Sequence, residues 1–310
     1  MTLGFETTTD EVLAGVDLSG RTAVVTGASS GLGRETARAL ASRGASVVLA
    51  VRDAGGKGEA AAGALREQVP DASFDVVELD LTSLDRVREA AKAVLADHER
   101  IDLLVNNAGV MAAPLGRTTE GHELQFGTNH LGHFLFTNLL LPAVTASAPA
   151  RIVNLTSAGH QSSDIVWDDV DYERRPYDKW EAYGQAKTAN ILFTVELERR
   201  LAARGVHAYA VHPGMIVTEL GRHLNRDDIK GMGERAKARG TTLPAYKTAE
   251  QGAATTVWCA TAPELADVGG VYCEDCHVSD NHAPWVLDGA SASRLWDLSQ
   301  RLVGEEFPEA

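Results

Sequence analysis

The sequence predicts an α/β fold, a single doubly wound domain on a parallel sheet of about seven strands with helices on both faces. Short runs rich in β-branched residues, apolar along their whole length, alternate with longer Ala-rich stretches. Strands of that kind are buried on both faces, as in βαβ units. A glycine cluster also stands where the first strand gives way to the first helix. Residues 1–19 are polar apart from Val12, Leu13 and Val16 and read as a lead-in arm; 20–310 form the domain. AVVTG (23–27) is the first strand, 31–43 a helix stopped by Gly44, and SVVLAV (46–51) the second strand. A helix near 57–68 ends at Pro70, followed by a strand in FDVVELD (74–80). Thr82 suits a helix cap, with Asp85 at the third helical position. Then come the strand IDLLVN (101–106), a long helix around 118–141, the strand RIVNLTS (151–157), a helix through EAYGQAKTAN (181–190) and the strand VHAYAVH (206–212). A seventh strand is expected near GGVYC (269–273). Insertions near 158–180 and 213–247 break the alternation at the carboxyl ends of strands, where open α/β sheets bind ligands.

Composition narrows the function. A formal charge of −14 argues against nucleic acid or an anionic membrane surface, both of which need clustered Lys and Arg. No stretch is apolar for long enough to span a bilayer, and no secretory signal is evident. The 3 cysteines form no disulfide framework, and a reducing cytoplasm fits them. CEDCH (273–277) matches a haem-attachment pattern and, with His282, suggests part of a metal site, but the ligand set is incomplete, and no metal is assigned. His130 and His133 lack further metal partners and read as packing residues.

The glycine cluster TGASSGLG (26–33) carries chemistry. Gly27 permits a tight turn, Gly31 lets the backbone approach a pyrophosphate, and Gly33 lets helix and strand pack; Ser29, Ser30 and Leu32 complete the turn. The helix that follows would hold phosphates at its positive end. At the tip of the second strand an acidic side chain reads a ribose hydroxyl, whereas arginine accommodates a 2′-phosphate. Val51 there is followed by Arg52, so NADP(H) is favoured over NAD(H), although Asp53 comes next. Tyr183 and Lys187 stand four apart on one helix face.

TGASSGLG, DLT (80–82), NNAG (106–109), Asn129 in GTNHLGHF, Ser157 in RIVNLTS, YGQAK and HPG (212–214) together resemble the short-chain dehydrogenase/reductase family. The chain is most similar to its single-domain branch of retinol dehydrogenases and WW-domain oxidoreductases, from about Thr7 to Cys276, so the fold implied is of Rossmann type. The resemblance implies that Tyr183 is the general acid–base, with Lys187 lowering its pKa and bonding the nicotinamide ribose. Ser157 would hold the substrate oxygen and Asn129 would anchor a water in a proton relay. Asp80 and Leu81 would contact adenine, Asn106 and Ala108 would line the inner side of the cofactor, and Pro213, Gly214 and Thr218 would meet the nicotinamide amide.

The activity expected is that of an NADP(H)-dependent carbonyl reductase or alcohol dehydrogenase. The aromatics of 158–180 with Met111, Leu115, Met215 and Ile216 suggest a small hydrophobic substrate. Relatives usually pair through the Asn129 and Tyr183 helices, so a homo-oligomer is possible. The rival class is a redox-sensing scaffold that binds nucleotide without turnover. It would not require Asn129, Ser157, Tyr183 and Lys187 together.

Overall fold

Strands apolar on both faces need cover on both sides, and the chain supplies it. In the computed structural model, which describes residues 3–238 and 245–307, the strands are β1 (Thr22–Thr26), β2 (Ser46–Val51), β3 (Phe74–Glu78), β4 (Leu103–Asn106), β5 (Ala150–Leu155), β6 (Val206–His212), β7 (Met215–Ile216), β8 (Tyr246–Lys247), β9 (Val271–Glu274) and β10 (His277–Val278). The helices are α1 (Thr9–Val12), α2 (Gly31–Ala41), α3 (Glu59–Gln68), α4 (Leu84–Asp97), α5 (Leu124–Phe126), α6 (Gly132–Ala146), α7 (Lys179–Leu201), α8 (Arg226–Ala238), α9 (Ala249–Thr261) and α10 (Gly289–Val303). The main sheet has 8 strands in the order β3-β2-β1-β4-β5-β6-β9-β10. The order reverses between β1 and β4, and a crevice opens there at the carboxyl ends of the strands.

One face of the sheet is covered by α4, α6, α7 and α10, through Val87, Phe134, Leu192 and Trp296 among others. The other is covered by α2, α3 and α9, through Leu40, Leu65 and Val257. Leu13 from the lead-in segment is fully buried in this second core, with Val12 and Val16 against it. There α1 starts in a capping box between Thr8 and Glu11, and Arg38 of α2 bonds Asp10 at 2.8 Å.

Three expectations need correction. The sheet has an eighth strand, β10, antiparallel to β9. CEDCH is the hairpin between them, turning through Asp275 and Cys276 at φ 48 and 58, and all three cysteines are free and buried. The helix expected over 118–141 starts at Leu124, contains a π-helical turn at Gly127–Leu131, and runs through Pro142 to Ala146. The cap of α4 is Ser83, not Thr82, so Asp85 is its second residue; the Thr82 hydroxyl instead donates to Asp80 at 2.8 Å. Of the 213–247 insertion, residues 239–244 lie outside the described residues. The remainder includes α8 and a small parallel pair, β7 with β8.

Candidate active site

The turn between β1 and α2 is built for close approach of a ligand to the backbone. Gly27 has φ +67, and a Cβ there would stand 2.9 Å from the Ala108 Cα. A Cβ on Gly33 would be 2.5 Å from both the Gly27 carbonyl and the Asn107 Nδ2. Any side chain at either position collides with backbone, so the tight turn requires glycine. Ser30 caps α2 in extended conformation without a side-chain hydrogen bond. The first-turn N–H groups of α2 therefore face outward at the positive end of the helix, an arrangement suited to a phosphate. Thr218 closes over the turn, its Cγ2 being 3.4 Å from where a Gly31 Cβ would lie. Pro213 and Gly214 lead out of β6, with Gly214 at φ +92 against the Lys247 side chain.

At the tip of β2, Asp53 is occupied: its carboxylate caps the following turn, accepting from Gly56 N at 2.9 Å and Lys57 N at 3.2 Å. Arg52 is exposed. Asp80 is half-buried and accepts from the Thr82 backbone at 3.0 Å, and Leu81 is buried against Gly132. Ala108 sits under the glycine turn. Asn106 does not line this crevice. It is buried inside the sheet, its Nδ2 donating to Thr137 and to Asn154, both at 2.8 Å.

The other four predicted residues converge beyond the end of β5. Ser157 begins a 3-10 turn and its Oγ accepts from Gly159 N at 3.0 Å. The Tyr183 phenol is on α7 and 4% exposed, and its ring and the Ser157 Oγ both lie within 3.3 Å of where a Gly159 Cβ would stand. Lys187 lies one turn on, its Nζ 5.8 Å from the Tyr183 ring centre and donating to the Leu155 carbonyl at 2.9 Å. Burial pushes the phenol up to about 12, opposed by the neighbouring Ser157 hydroxyl, and pushes the Lys187 ammonium down to about 8. For Tyr183 the larger effect is desolvation, which raises the phenol, and the lowering influence comes from Ser157. Asn129 sits in the π-turn, fully buried. Its amide grips the Val110 backbone, accepting from N at 2.8 Å and donating to O at 2.9 Å. Both ends of the side chain thus engage the Val110 segment, while the Asn129 backbone carbonyl lies 3.1 Å from His133 Nδ1.

The aromatics of 158–180 mostly brace the fold. Tyr172 stacks on Tyr177 at 5.0 Å, the Tyr177 hydroxyl donates to the Ala113 carbonyl at 2.9 Å, and Arg294 lies over Trp167. Ile216 packs where a Gly252 Cβ would be, beside Leu32, rather than toward a ligand. Met111 and Met215 are half-buried and Leu115 is exposed, beside the carboxyl ends of β4 and β6.

Sequence reasoning gave Thr26 and His160 no role of their own and read His133 as a packing residue. Thr26, the last residue of β1, accepts from Asn107 N and Ala108 N, both at 2.9 Å. His160 donates from Nδ1 to the Ser157 carbonyl at 2.6 Å, its Nε2 accepting from Ala283 N at 3.1 Å. His133 contacts Thr26 and Asn129. The available signal was polar residues in buried positions beside the motifs, which carry an obligation to find partners.

A glycine turn at the switch point of a doubly wound sheet, with a buried Ser–Tyr–Lys cluster across the crevice, defines a dinucleotide-binding α/β oxidoreductase. The family model described as short chain dehydrogenase matches residues 21–229. Retinol dehydrogenase 13 of Homo sapiens is 45% identical over 296 residues, 94% of this chain and 87% of that protein. Retinol dehydrogenase 12 of Mus musculus is 42% identical over 296 residues, 94% and 89%. Among solved structures, an uncharacterised protein from Mycobacterium paratuberculosis matches with TM-score 0.75 and 38% identity, covering 94% of this chain and 96% of that one. A candidate NAD(P)-dependent gluconate 5-dehydrogenase from Beutenbergia cavernae, with NADP bound at low occupancy, matches with TM-score 0.65 and 26% identity over 84% of this chain and 96% of that one. The chain belongs to the short-chain dehydrogenase family.

Proposed function

We propose that the chain is an NADP(H)-dependent oxidoreductase that interconverts a small hydrophobic alcohol and its carbonyl, with Tyr183 as general acid–base. The observation that carries this is the buried Tyr183 phenol, gathered with Ser157 around Gly159 and with Lys187 one helical turn away. The glycine turn and the open end of α2 would hold the dinucleotide, with Asp80 and Leu81 toward adenine and Pro213, Gly214 and Thr218 toward the nicotinamide. When bound, the nucleotide supplies or accepts the hydride at the carbon of the substrate. Ser157 holds the substrate oxygen and Tyr183 gives it a proton in reduction or removes one in oxidation. Lys187 and a water held by Asn129 would relay that proton out to solvent in oxidation and return one to Tyr183 in reduction. Relatives named retinol dehydrogenases support an alcohol or carbonyl with an apolar body. We place the catalytic unit at 20–310, with the substrate side formed by the 158–180 and 213–247 insertions. Three buried free thiols support a reducing, cytoplasmic setting; among the described residues no helix is long and apolar enough to cross a membrane.

The preference for NADP(H) rests on Arg52. Among the described residues it makes no hydrogen bond or ion pair, whereas Asp53 is spent on a cap. Arg52→Ala is expected to weaken NADPH binding by about 10- to 100-fold, the range of a charged hydrogen bond, and to leave NADH binding within about twofold. Titration of both nucleotides checks it. Equal weakening of the two would remove the argument.

The shifts also fix the sign of a pH effect. Below a pKa of about 8, Lys187 is charged and able to bond a ribose; above it the charge is lost. The kcat/KM for nucleotide, which reports groups of the free enzyme, should therefore be flat near neutrality and fall as pH rises through about 8. A value that climbs through that range would exclude the role given to Lys187. Tyr183, held up to about 12, stays protonated there and remains competent as the acid in reduction.

A further inference from the structure

His133, in the GTNHLGHF motif but given only a packing role by the sequence, is 2% exposed and lies at a junction. Its Nε2 is 2.9 Å from the Thr26 Oγ1 and its Nδ1 is 3.1 Å from the Asn129 carbonyl oxygen. The hydrogen positions follow from counting. The Thr26 oxygen already accepts two backbone N–H groups, from Asn107 and Ala108. A hydroxyl has two lone pairs and one proton, so the proton of Thr26 must point to His133. The Nε2 of His133 is then the acceptor and carries no proton. Its Nδ1 bears the hydrogen and donates it to Asn129, whose carbonyl can only accept. Complete burial favours this neutral ring.

We propose that His133 is a positioning residue, a neutral Nδ1–H imidazole that ties the backbone carbonyl of Asn129 to Thr26 at the root of the glycine turn. The proposal rests on the catalytic reading above, since the carbonyl it orients belongs to Asn129, which that reading places in the relay. The connections form a closed ring: Asn107 and Ala108 to Thr26, Thr26 to His133, His133 to Asn129, and the Asn129 amide back to Val110 on the loop carrying Ala108. The π-turn that carries Asn129 and the turn that would seat the dinucleotide are thus held in register through one imidazole. His130, three residues earlier, makes a useful contrast. It lies in the π-turn itself, but its side chain bonds Ser299 at 2.8 Å inside the aromatic core and makes no bond to the glycine turn.

The first measurement needs no variant. With histidine labelled in ¹⁵N, long-range proton–nitrogen spectra of the full chain distinguish the two neutral tautomers. The His133 signals should be those of the Nδ1–H form; the Nε2–H pattern, or a charged ring near neutral pH, overturns the proposal. The second measurement compares His133→Phe with His133→Asn, whose amide can stand in for the Nδ1–H donor. His133→Phe is expected to lower kcat about tenfold, the worth of one hydrogen bond in the transition state, with nucleotide Kd changed less than about threefold. His133→Asn should recover most of that loss. A folded His133→Phe with parental kcat, or a folded His133→Asn no better than it, would leave His133 as filling only. Failure of Tyr183→Phe to lose turnover would instead discredit the acid–base assignment and leave the tautomer result standing.

Discussion

Tyr183→Phe is expected to lower turnover by roughly a thousandfold or more while leaving nucleotide affinity within about threefold. The substitution removes only the hydroxyl. The ring stays in place because it is 4% exposed and packs against Gly159, whose Cβ would fall 2.8 Å from the Tyr183 Cε1. Ser157 keeps its bond from the Gly159 N–H, so its hydroxyl remains able to meet a substrate oxygen. What disappears is the proton that must reach that oxygen as hydride arrives at carbon. Steady-state rates with NADPH and a panel of apolar aldehydes, together with nucleotide titration, separate the two effects. Parental rates in a folded variant would sink the acid–base assignment, and parallel loss of nucleotide affinity would make Tyr183 a binding residue instead. The redox-sensing scaffold makes the opposite forecast, with no turnover to lose.

The strands were legible because burial on both sheet faces leaves uninterrupted β-branched runs; VHAYAVH coincides with β6 from Val206 to His212. The glycine turn was legible because its contacts are local. Other features depended on tertiary surroundings. Strand β10 has two residues, too short for any periodicity, and its partner is fixed by a turn whose positive φ values fall on Asp275 and Cys276 rather than on glycine. Pro142 reads as a helix stop, yet α6 continues to Ala146 because Ala143 and Val144 are buried in the core. The Tyr183–Lys187 spacing identified the pair but not its titration. Spacing reports the proximity of two groups, whereas a pKa also depends on how much water the rest of the fold removes. Asn106 was misplaced for a related reason: alternation along β4 puts its side chain into the sheet interior, while Asn107 turns back to hold Thr26.

The second large effect concerns α10. Trp296 is 2% exposed and lies 5.0 Å from the Phe134 ring of α6 and 6.0 Å from the Phe193 ring of α7, with the Arg200 guanidinium 4.0 Å over its other side. One indole thus closes the face shared by the two helices that carry Asn129 and Tyr183 into the site. Trp296→Ala should cost about 3–5 kcal/mol, the range for emptying a large aromatic site. That is a large share of a typical total stability of about 5–15 kcal/mol. It should lower the Tm by roughly 6–15 °C in a chain of this size. Differential scanning calorimetry checks it, and an unchanged Tm would mean that α10 contributes little to the core. The same helix bears on assembly. Its indole packs against α6 through Phe134 and against α7 through Phe193. Trp296→Ala uncovers Phe134 and Phe193 together, and exposed apolar patches of that kind associate. Light scattering should therefore show the variant gaining more mass with concentration than the parental chain does.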